Sequence, residues 1–340
     1  MRLPAEWAPQ QLVLLAFPLR DGEWEEALDD ASEALLVAAN AINKVTPTLL
    51  VVGDAEHFAA YADRYEGQVI ELPTDDSWIR DYGPITVIDN DEKPLLLDFA
   101  FDGWGGKYPG PDNDAIPARL HAARFPEVGY QKTDVVLEGG SIESDGLGTI
   151  LTTTSCLLGP GRNGWDDPER AEPELRKFFG RRADVFWLTD GRIIGDDTDG
   201  HVDTLARFLD ERTIAYVSCD DENDPHYEEL KEMKVDLGDV TTKHNKRFKL
   251  LAMPLPPAIH DAAGRRLAAT YVNFLISNGH VFVPQYFQHE PADHPGRGAD
   301  AGAVEILESY GRYTVVPVNC RPFLKQNGSL HCLTMQIPSF

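Results

Sequence analysis

Tyr271-Val-Asn-Phe-Leu-Ile-Ser-Asn-Gly-His-Val-Phe-Val283 is two apolar runs joined by Asn278-Gly279. That dipeptide tolerates the positive φ angles of a primed turn, so the stretch reads as a β-hairpin. Working outward, the same grammar recurs. Pro84-Ile-Thr-Val-Ile-Asp-Asn-Asp-Glu-Lys-Pro-Leu-Leu-Leu-Asp98 is a second hairpin, turning at Asn90-Asp91. Ser141-Ile-Glu-Ser-Asp-Gly-Leu-Gly-Thr-Ile-Leu-Thr152 is a third, turning at Asp145-Gly146. Helical patterns intervene at Trp24 to Asn43, Asp167 to Phe179, Pro225 to Met233 and Ala299 to Tyr310. Short strands follow several of them, at Leu49 to Val52, Thr213 to Val217 and Tyr313 to Val318. Strands and helices alternate along the whole chain, which argues for an α/β fold rather than segregated halves. Hairpin-plus-helix units at roughly 60–70 residue intervals suggest a repeat architecture of five units in a closed ring. The units share grammar rather than sequence. No low-complexity linker marks a boundary, so residues 1–340 read as one domain.

Composition narrows the function. Of 340 residues, 42% are hydrophobic and 26% charged, the balance of a soluble globular protein. No apolar run approaches the roughly 20 residues that span a bilayer, and MRLPAEWAPQ lacks the features of a signal peptide. The expected location is the cytoplasm. Fifty-six acids against 31 bases give a net charge of −25. Such a surface repels phosphate backbones and anionic lipid, which argues against nucleic-acid or membrane partners and favours small cations. Only 11 of the 31 bases are Lys, so the acidity also suits a salt-rich cytoplasm. Cys156, Cys219, Cys320 and Cys332 are scattered without CxxC spacing, which supports neither a disulfide framework nor a paired-cysteine zinc site. A free thiol is therefore available as a nucleophile.

Four polar, glycine-bearing islands interrupt the pattern. Asp75-Asp-Ser-Trp-Ile-Arg-Asp-Tyr-Gly-Pro84 reads alone as a strand-entry turn with a surface ion pair. Leu137-Glu-Gly-Gly140 sets a carboxylate beside two glycines, which would let another group approach the backbone closely. Asp196-Asp-Thr-Asp-Gly-His-Val-Asp203 admits three readings. It is a metal loop, although it matches neither the twelve-residue calcium loop nor a zinc signature. It is a strand on which His201 and Asp203, two apart, face one cavity as acid/base and ion-pairing group. Or it is an acidic surface loop before a helix. Finally, Gln326-Asn-Gly-Ser-Leu-His-Cys-Leu-Thr-Met-Gln336 carries Cys332 after a glycine-containing loop. A lone cysteine there is a buried small hydrophobe or, with His and carboxylates supplied from elsewhere, a catalytic thiol.

Taken in order, these islands resemble the agmatine deiminase family, within the guanidino-group-modifying enzymes that share the pentein α/β-propeller fold. Met1 to Gln10, Asp76 to Pro84, Phe101-Asp-Gly-Trp-Gly-Gly-Lys107, Leu137 to Ser141, Asp196 to Asp203 and Ser329 to Gln336 carry the resemblance nearly end to end. It implies a five-unit pseudo-symmetric propeller with a central site. Cys332 would attack the guanidinium carbon and form a covalent S-alkylthiouronium. His201 would protonate departing ammonia and then activate water. Asp81 and Asp203 would hold the guanidinium by forked hydrogen bonds. Glu138 would pair with His201 or with substrate, and Trp78 and Trp104 would wall the flat cation. The implied reaction is hydrolysis of agmatine to N-carbamoylputrescine and ammonia, feeding putrescine synthesis. It needs no metal and no organic cofactor, and a homodimer is the implied assembly.

The chain departs from the family where a glycine-rich run normally precedes the terminal His-Cys. Here it has Lys325-Gln-Asn-Gly-Ser329, which bears on the loop over the substrate's tail. The same family includes bacterial peptidylarginine deiminases. Peptidylarginine or another guanidino compound is thus the second reading, and a non-catalytic, Asp-rich metal-binding protein is a third.

Overall fold

The structure is a computed structural model and describes residues 1–159 and 161–340. Among the described residues, sixteen strands form five sheets. Four sheets share one plan, an antiparallel hairpin followed by a helix and a third, parallel strand. They are β4 (Ile85–Ile88), β5 (Pro94–Ala100) and β6 (Gly129–Val136); β7 (Ile142–Ser144), β8 (Thr149–Thr153) and β9 (Asp184–Leu188); β10 (Ala206–Asp210), β11 (Thr213–Ser218) and β12 (Lys249–Pro254); and β13 (Leu275–Ser277), β14 (His280–Gln285) and β15 (Thr314–Asn319). The remaining sheet runs β16-β1-β2-β3. Its β1 (Gln10–Ala16) pairs antiparallel with the C-terminal β16 (Met335–Pro338) and parallel with β2 (Thr48–Val52), which pairs with β3 (Gln68–Glu71).

Parallel pairing requires a crossover, and the helices at Leu28–Asn43, Ile116–Arg124, Pro168–Phe179, Tyr227–Asp239 and Pro295–Tyr310 supply one per sheet. Their ends follow from local chemistry. Asp167 caps the third by accepting from the Arg170 amide, with Pro168 in the first turn. Gly311, at φ +75°, ends the last in the left-handed conformation that L side chains avoid. Central strands such as β2 (Thr-Leu-Leu-Val-Val) are covered on both faces and carry no alternation, whereas outer β15 is half-buried or exposed at every position but Val318. The hairpin turn at Asn278-Gly279 has φ +41° and +81°, the primed geometry its sequence specifies.

The hairpin at residues 271–283 begins later than its apolar run. Tyr271 to Phe274 is a turn, and strand pairing starts at Leu275. Equivalent turns precede the first strand of the other units: Ile79–Tyr82, Gly139–Ser141, Val202–Thr204 and His331–Leu333. These turns pack on one another, so residues far apart in sequence meet at one place.

Candidate active site

Each turn presents a polar or minimal residue to a common centre: Asp81, Gly140, Asp203, Asn273 and Cys332. The crowding is greatest at Gly140. A Cβ there would lie 2.6 Å from His201 Nδ1, 2.9 Å from Asp81 Oδ1 and 3.1 Å from Asp203 Oδ2. Only a glycine lets three side chains close on its backbone in this way. The Gly140 amide also donates to Asp81 Oδ1 at 3.0 Å. The Glu-Gly-Gly island is thus the floor against which the acid and base groups are set.

The strand expected at His201-Val-Asp203 is not formed. His201 precedes a 3₁₀ turn at Val202–Thr204, and the turn, rather than a two-residue strand repeat, brings both side chains inward. Asp196 forces this path. Its carboxylate accepts from the Thr198 hydroxyl and from the Gly200 amide, folding the loop onto itself, and Gly200 sits at φ +89°. Asp199 is bound by Lys107 and Arg162, so this island's carboxylates serve its own loop and neighbouring cations.

Trp104 Nε1 donates to Asp81 Oδ2 at 2.9 Å. Asp81 is buried, and burial together with the Asp203 and Glu138 charges pushes its carboxyl well above the usual range. Burial also raises Asp203, but hydrogen bonding and charge from His331 outweigh it and hold Asp203 below its ordinary value. His201 Nδ1 lies 3.5 Å from Asp81 Oδ1, and neither ring nitrogen has a hydrogen-bond partner among the described residues. Burial pushes His201 down to about 3, so the resting imidazole is neutral. The Cys332 thiol lies 3.4 Å from Asn273 Oδ1 and 3.8 Å from Asp203 Oδ2. Burial and the Asp203 and Asp81 charges push it well above a free thiol.

Glu138, expected to pair with His201 or with substrate, is bound by Arg162. Arg162 Nε donates to both its oxygens, at 2.7 and 2.9 Å, and Arg162 also binds Asp199 Oδ2 and the Thr198 carbonyl. Burial raises the Glu138 carboxyl against the opposing pull of Arg162. Glu138 still lies close to His201, with a ligand atom from each, and one from Cys156, all within 4.8 Å of one another. That trio has the donor types of a metal site, but the Arg162 cation already occupies the carboxylate.

A cavity of about 230 Å³ opens above this floor, with Trp78, Asp81, Trp104 and Cys332 in its lining and His201, Asp203 and Glu138 beneath. Its mouth is acidic, with Glu23, Asp76, Asp196 and Asp197 against Arg265 and Lys325. Residues Lys325, Gln326, Asn327 and Gly328 form one wall. Gln326 Oε1 accepts from Trp78 Nε1 at 3.0 Å, and Asn327 Nδ2 donates to Asp197 Oδ2 at 3.1 Å. Asn327 takes the left-handed backbone (φ +61°) that glycine would otherwise supply. At Gly328 a Cβ would lie 2.3 Å from the Trp78 ring, so any other residue there would displace the indole.

Sequence reasoning missed Asn273, Arg162 and Glu6. Asn273 Oδ1 accepts from the His331 amide, and its Nδ2 donates to the Asp203 carbonyl, tying two site turns together. A signal existed: Val272-Asn273 and Val202-Asp203 are Val-polar pairs that each end two or three residues before a strand. Arg162 and Glu6 had none, since single charged residues far from their partners look like any other.

Residues 2–338 match the family model of the Porphyromonas-type peptidyl-arginine deiminase. A provisionally named agmatine deiminase of Photobacterium profundum is 35% identical over 360 residues, covering 99% of this chain and 96% of the relative. A solved structure provisionally named a peptidyl-arginine deiminase aligns at TM-score 0.92 and 38% identity, over 100% of this chain and 99% of that one. The substrate-bound agmatine deiminase of C. jejuni aligns at TM-score 0.88 and 32% identity, over 98% and 95%. Dimethylarginine dimethylaminohydrolase, at 12% identity and TM-score 0.55, and an amidinotransferase of Microseira wollei, at 10% and 0.56, share the mixed α/β pentein fold alone. The chain belongs to the Porphyromonas-type peptidyl-arginine deiminase family.

Proposed function

We propose that this chain is a thiol hydrolase of linear amidines that converts agmatine and water to N-carbamoylputrescine and ammonia. The observation that carries the reading is the meeting of Cys332, Asp81, Asp203 and His201 beneath an acid-mouthed cavity between two indoles. Its near relatives bear the agmatine deiminase name. The carboxylates suit the fork of a guanidinium and the acidic mouth suits a second positive charge on its tail.

In the proposed chemistry the thiol proton goes to the departing nitrogen by way of His201. The sulfur bonds to the guanidinium carbon as ammonia leaves, giving a thiouronium. Neutral His201 then accepts a proton from water as the oxygen adds. Collapse breaks the C–S bond as the hydroxyl proton passes to sulfur, yielding the ureido product and the free thiol, and His201 gives up its proton to the released ammonia. The donor set calls for no metal or organic cofactor. Five sheets, each contributing one turn to the site, support a pseudo-symmetric propeller in which residues 1–340 act as one catalytic unit. A cytoplasmic homodimer belongs to the same reading, as does a place in putrescine synthesis.

Ammonia release by the purified protein from agmatine and from an arginyl peptide, each with and without a strong chelator, is the test. Chelator-insensitive release from agmatine is the expected outcome. Release from the peptide alone would transfer the reading to peptidylarginine, and loss of activity with chelator would restore the metal reading.

A further inference from the structure

His331 precedes the nucleophile, and nothing in the chemistry above uses it. Its ring is buried and touches a carboxylate at each nitrogen. Nδ1 lies 2.7 Å from Asp203 Oδ2, and Nε2 lies 2.7 Å from Glu6 Oε2. A carboxylate only accepts hydrogen bonds, so both contacts are satisfied together only if both ring nitrogens carry protons. A neutral ring would set a lone pair against a carboxylate oxygen at one of them.

The surroundings favour ionised carboxylates. Glu6 Oε2 also faces Arg207 Nη2 at 2.8 Å and Arg80 Nη2 at 3.7 Å, and Glu6 Oε1 accepts from the Ile276 amide. Burial works against the Glu6 charge, but Arg207, His331 and Arg80 together hold its carboxyl far below the usual range. Arg207 also pairs with Glu143, and Arg80 donates to Gln336 and to the His331 carbonyl. Asn273 fixes the His331 amide. These are the polar groups packed around the ring from the N-terminal segment and the site turns. Carboxylates (Glu6, Asp203 and, one guanidinium further, Glu143) and guanidiniums (Arg80, Arg207) are buried together here, and a charged His331 gives Glu6 and Asp203 a further cationic partner.

We propose that His331 is a resident imidazolium, a positioning residue that orients Asp203 and keeps it ionised for the guanidinium. Its proton occupies Asp203 Oδ2 and leaves Oδ1, which has no partner among the described residues, as the open acceptor. Asp203 and Asp81 thereby part company. Asp203 is a standing anion paired to a cation, whereas Asp81 is held by the neutral donors Trp104 Nε1 and the Gly140 amide. The consequence for turnover rests on the deiminase reading, whereas the protonation state does not.

The test therefore begins without substrate. Nitrogen-15 NMR of histidine-labelled full-length protein at neutral pH should show both His331 ring nitrogens protonated, with the signal assigned through its own backbone. A ring bearing one proton overturns the proposal. Glu6→Gln then removes the carboxylate at Nε2 while keeping the side chain's shape. It should raise KM for the guanidinium more than it lowers kcat, and kcat/KM should fall about tenfold, the loss of roughly one charge-assisted hydrogen bond. The pH profile of kcat/KM should also gain an ionisation that the unsubstituted enzyme lacks. An unchanged profile with an imidazolium still present in the variant would show that Glu6 does not set the charge and overturn the arrangement.

Discussion

Trp104 reaches Asp81 from a backbone that few tryptophans adopt. Its indole Nε1 donates to Oδ2 at 2.9 Å while its own φ is +57°, between Gly103 and Gly105 at +73° and +78°. A left-handed residue of this size is strained by about 1–3 kcal/mol, so the Gly-Trp-Gly-Gly run exists to place the ring. The indole is therefore a hydrogen-bond donor as well as a wall. Trp104→Phe keeps the wall and deletes the donor. A hydrogen bond to a charged group contributes ~1.5–3 kcal/mol, so kcat/KM should fall roughly 10- to 100-fold with the melting temperature little changed. Steady-state kinetics beside a thermal melt checks this, and unaltered kinetics would reduce Trp104 to packing.

Gly140→Ala is the sharpest test of how the site is assembled. The added methyl would press within 3.1 Å of His201, Asp81 and Asp203 at once, displacing at least one reacting group. Misplacement by about 1 Å can cost ~100-fold, and a loss of at least that size is expected. Circular dichroism should report an intact fold. Full activity would mean that these three groups do not work as a set.

Much of this was legible in advance, for local reasons. The hairpin at Asn278-Gly279 and the helix at Pro168–Phe179 are specified by turn and cap residues within a few positions of where they act. His201 and Asp203 were legible as partners but not as a turn, because the Asp196 hydrogen bonds that bend the loop compete with strand periodicity. The ion pairs Glu138–Arg162 and Glu6–Arg207 were not legible at all. Burial makes them matter, and burial is a property of the packed turns rather than of either residue's neighbours in sequence.

Asp81→Asn and Asp203→Asn should each abolish turnover rather than only raise KM. Each carboxylate both binds the guanidinium and sets the carbon over Sγ, so losing either lowers the chemical step as well. Near-normal kcat with a raised KM would confine the residue to binding.

At the mouth, burial and the Glu23, Asp197 and Asp75 charges raise the Asp76 carboxyl to about 7. A group with a raised carboxylate value is neutral below it and anionic above. As pH falls through about 7, the mouth therefore loses a negative charge and a dication should bind less well. KM for agmatine should rise several-fold between about pH 8 and pH 6, equivalent to ~1 kcal/mol of partly screened attraction. Asp76→Asn should flatten that dependence. A KM that falls on acidification, or an unchanged slope in the variant, would remove Asp76 from substrate recognition.

Cys332 decides the chemistry. Thiolate is the nucleophile, and a free cysteine has a pKa near ~8.5. Here the sulfur faces two acceptors, Asn273 Oδ1 and Asp203 Oδ2, and burial with the Asp203 and Asp81 charges raises the thiol further. The resting enzyme therefore holds thiol, and the guanidinium's own charge draws out the thiolate on binding. Iodoacetamide, which is neutral, should alkylate Cys332 slowly at neutral pH. A haloacetamidine, which carries the substrate's charge and shape, should inactivate much faster, and agmatine should protect against it. Cys332→Ser should be inactive yet still bind agmatine, since Asp81 and Asp203 remain. Equal rates with the two reagents, or no protection by agmatine, would argue that the thiolate forms without substrate. Full activity in Cys332→Ser would remove the thiol from the reaction altogether.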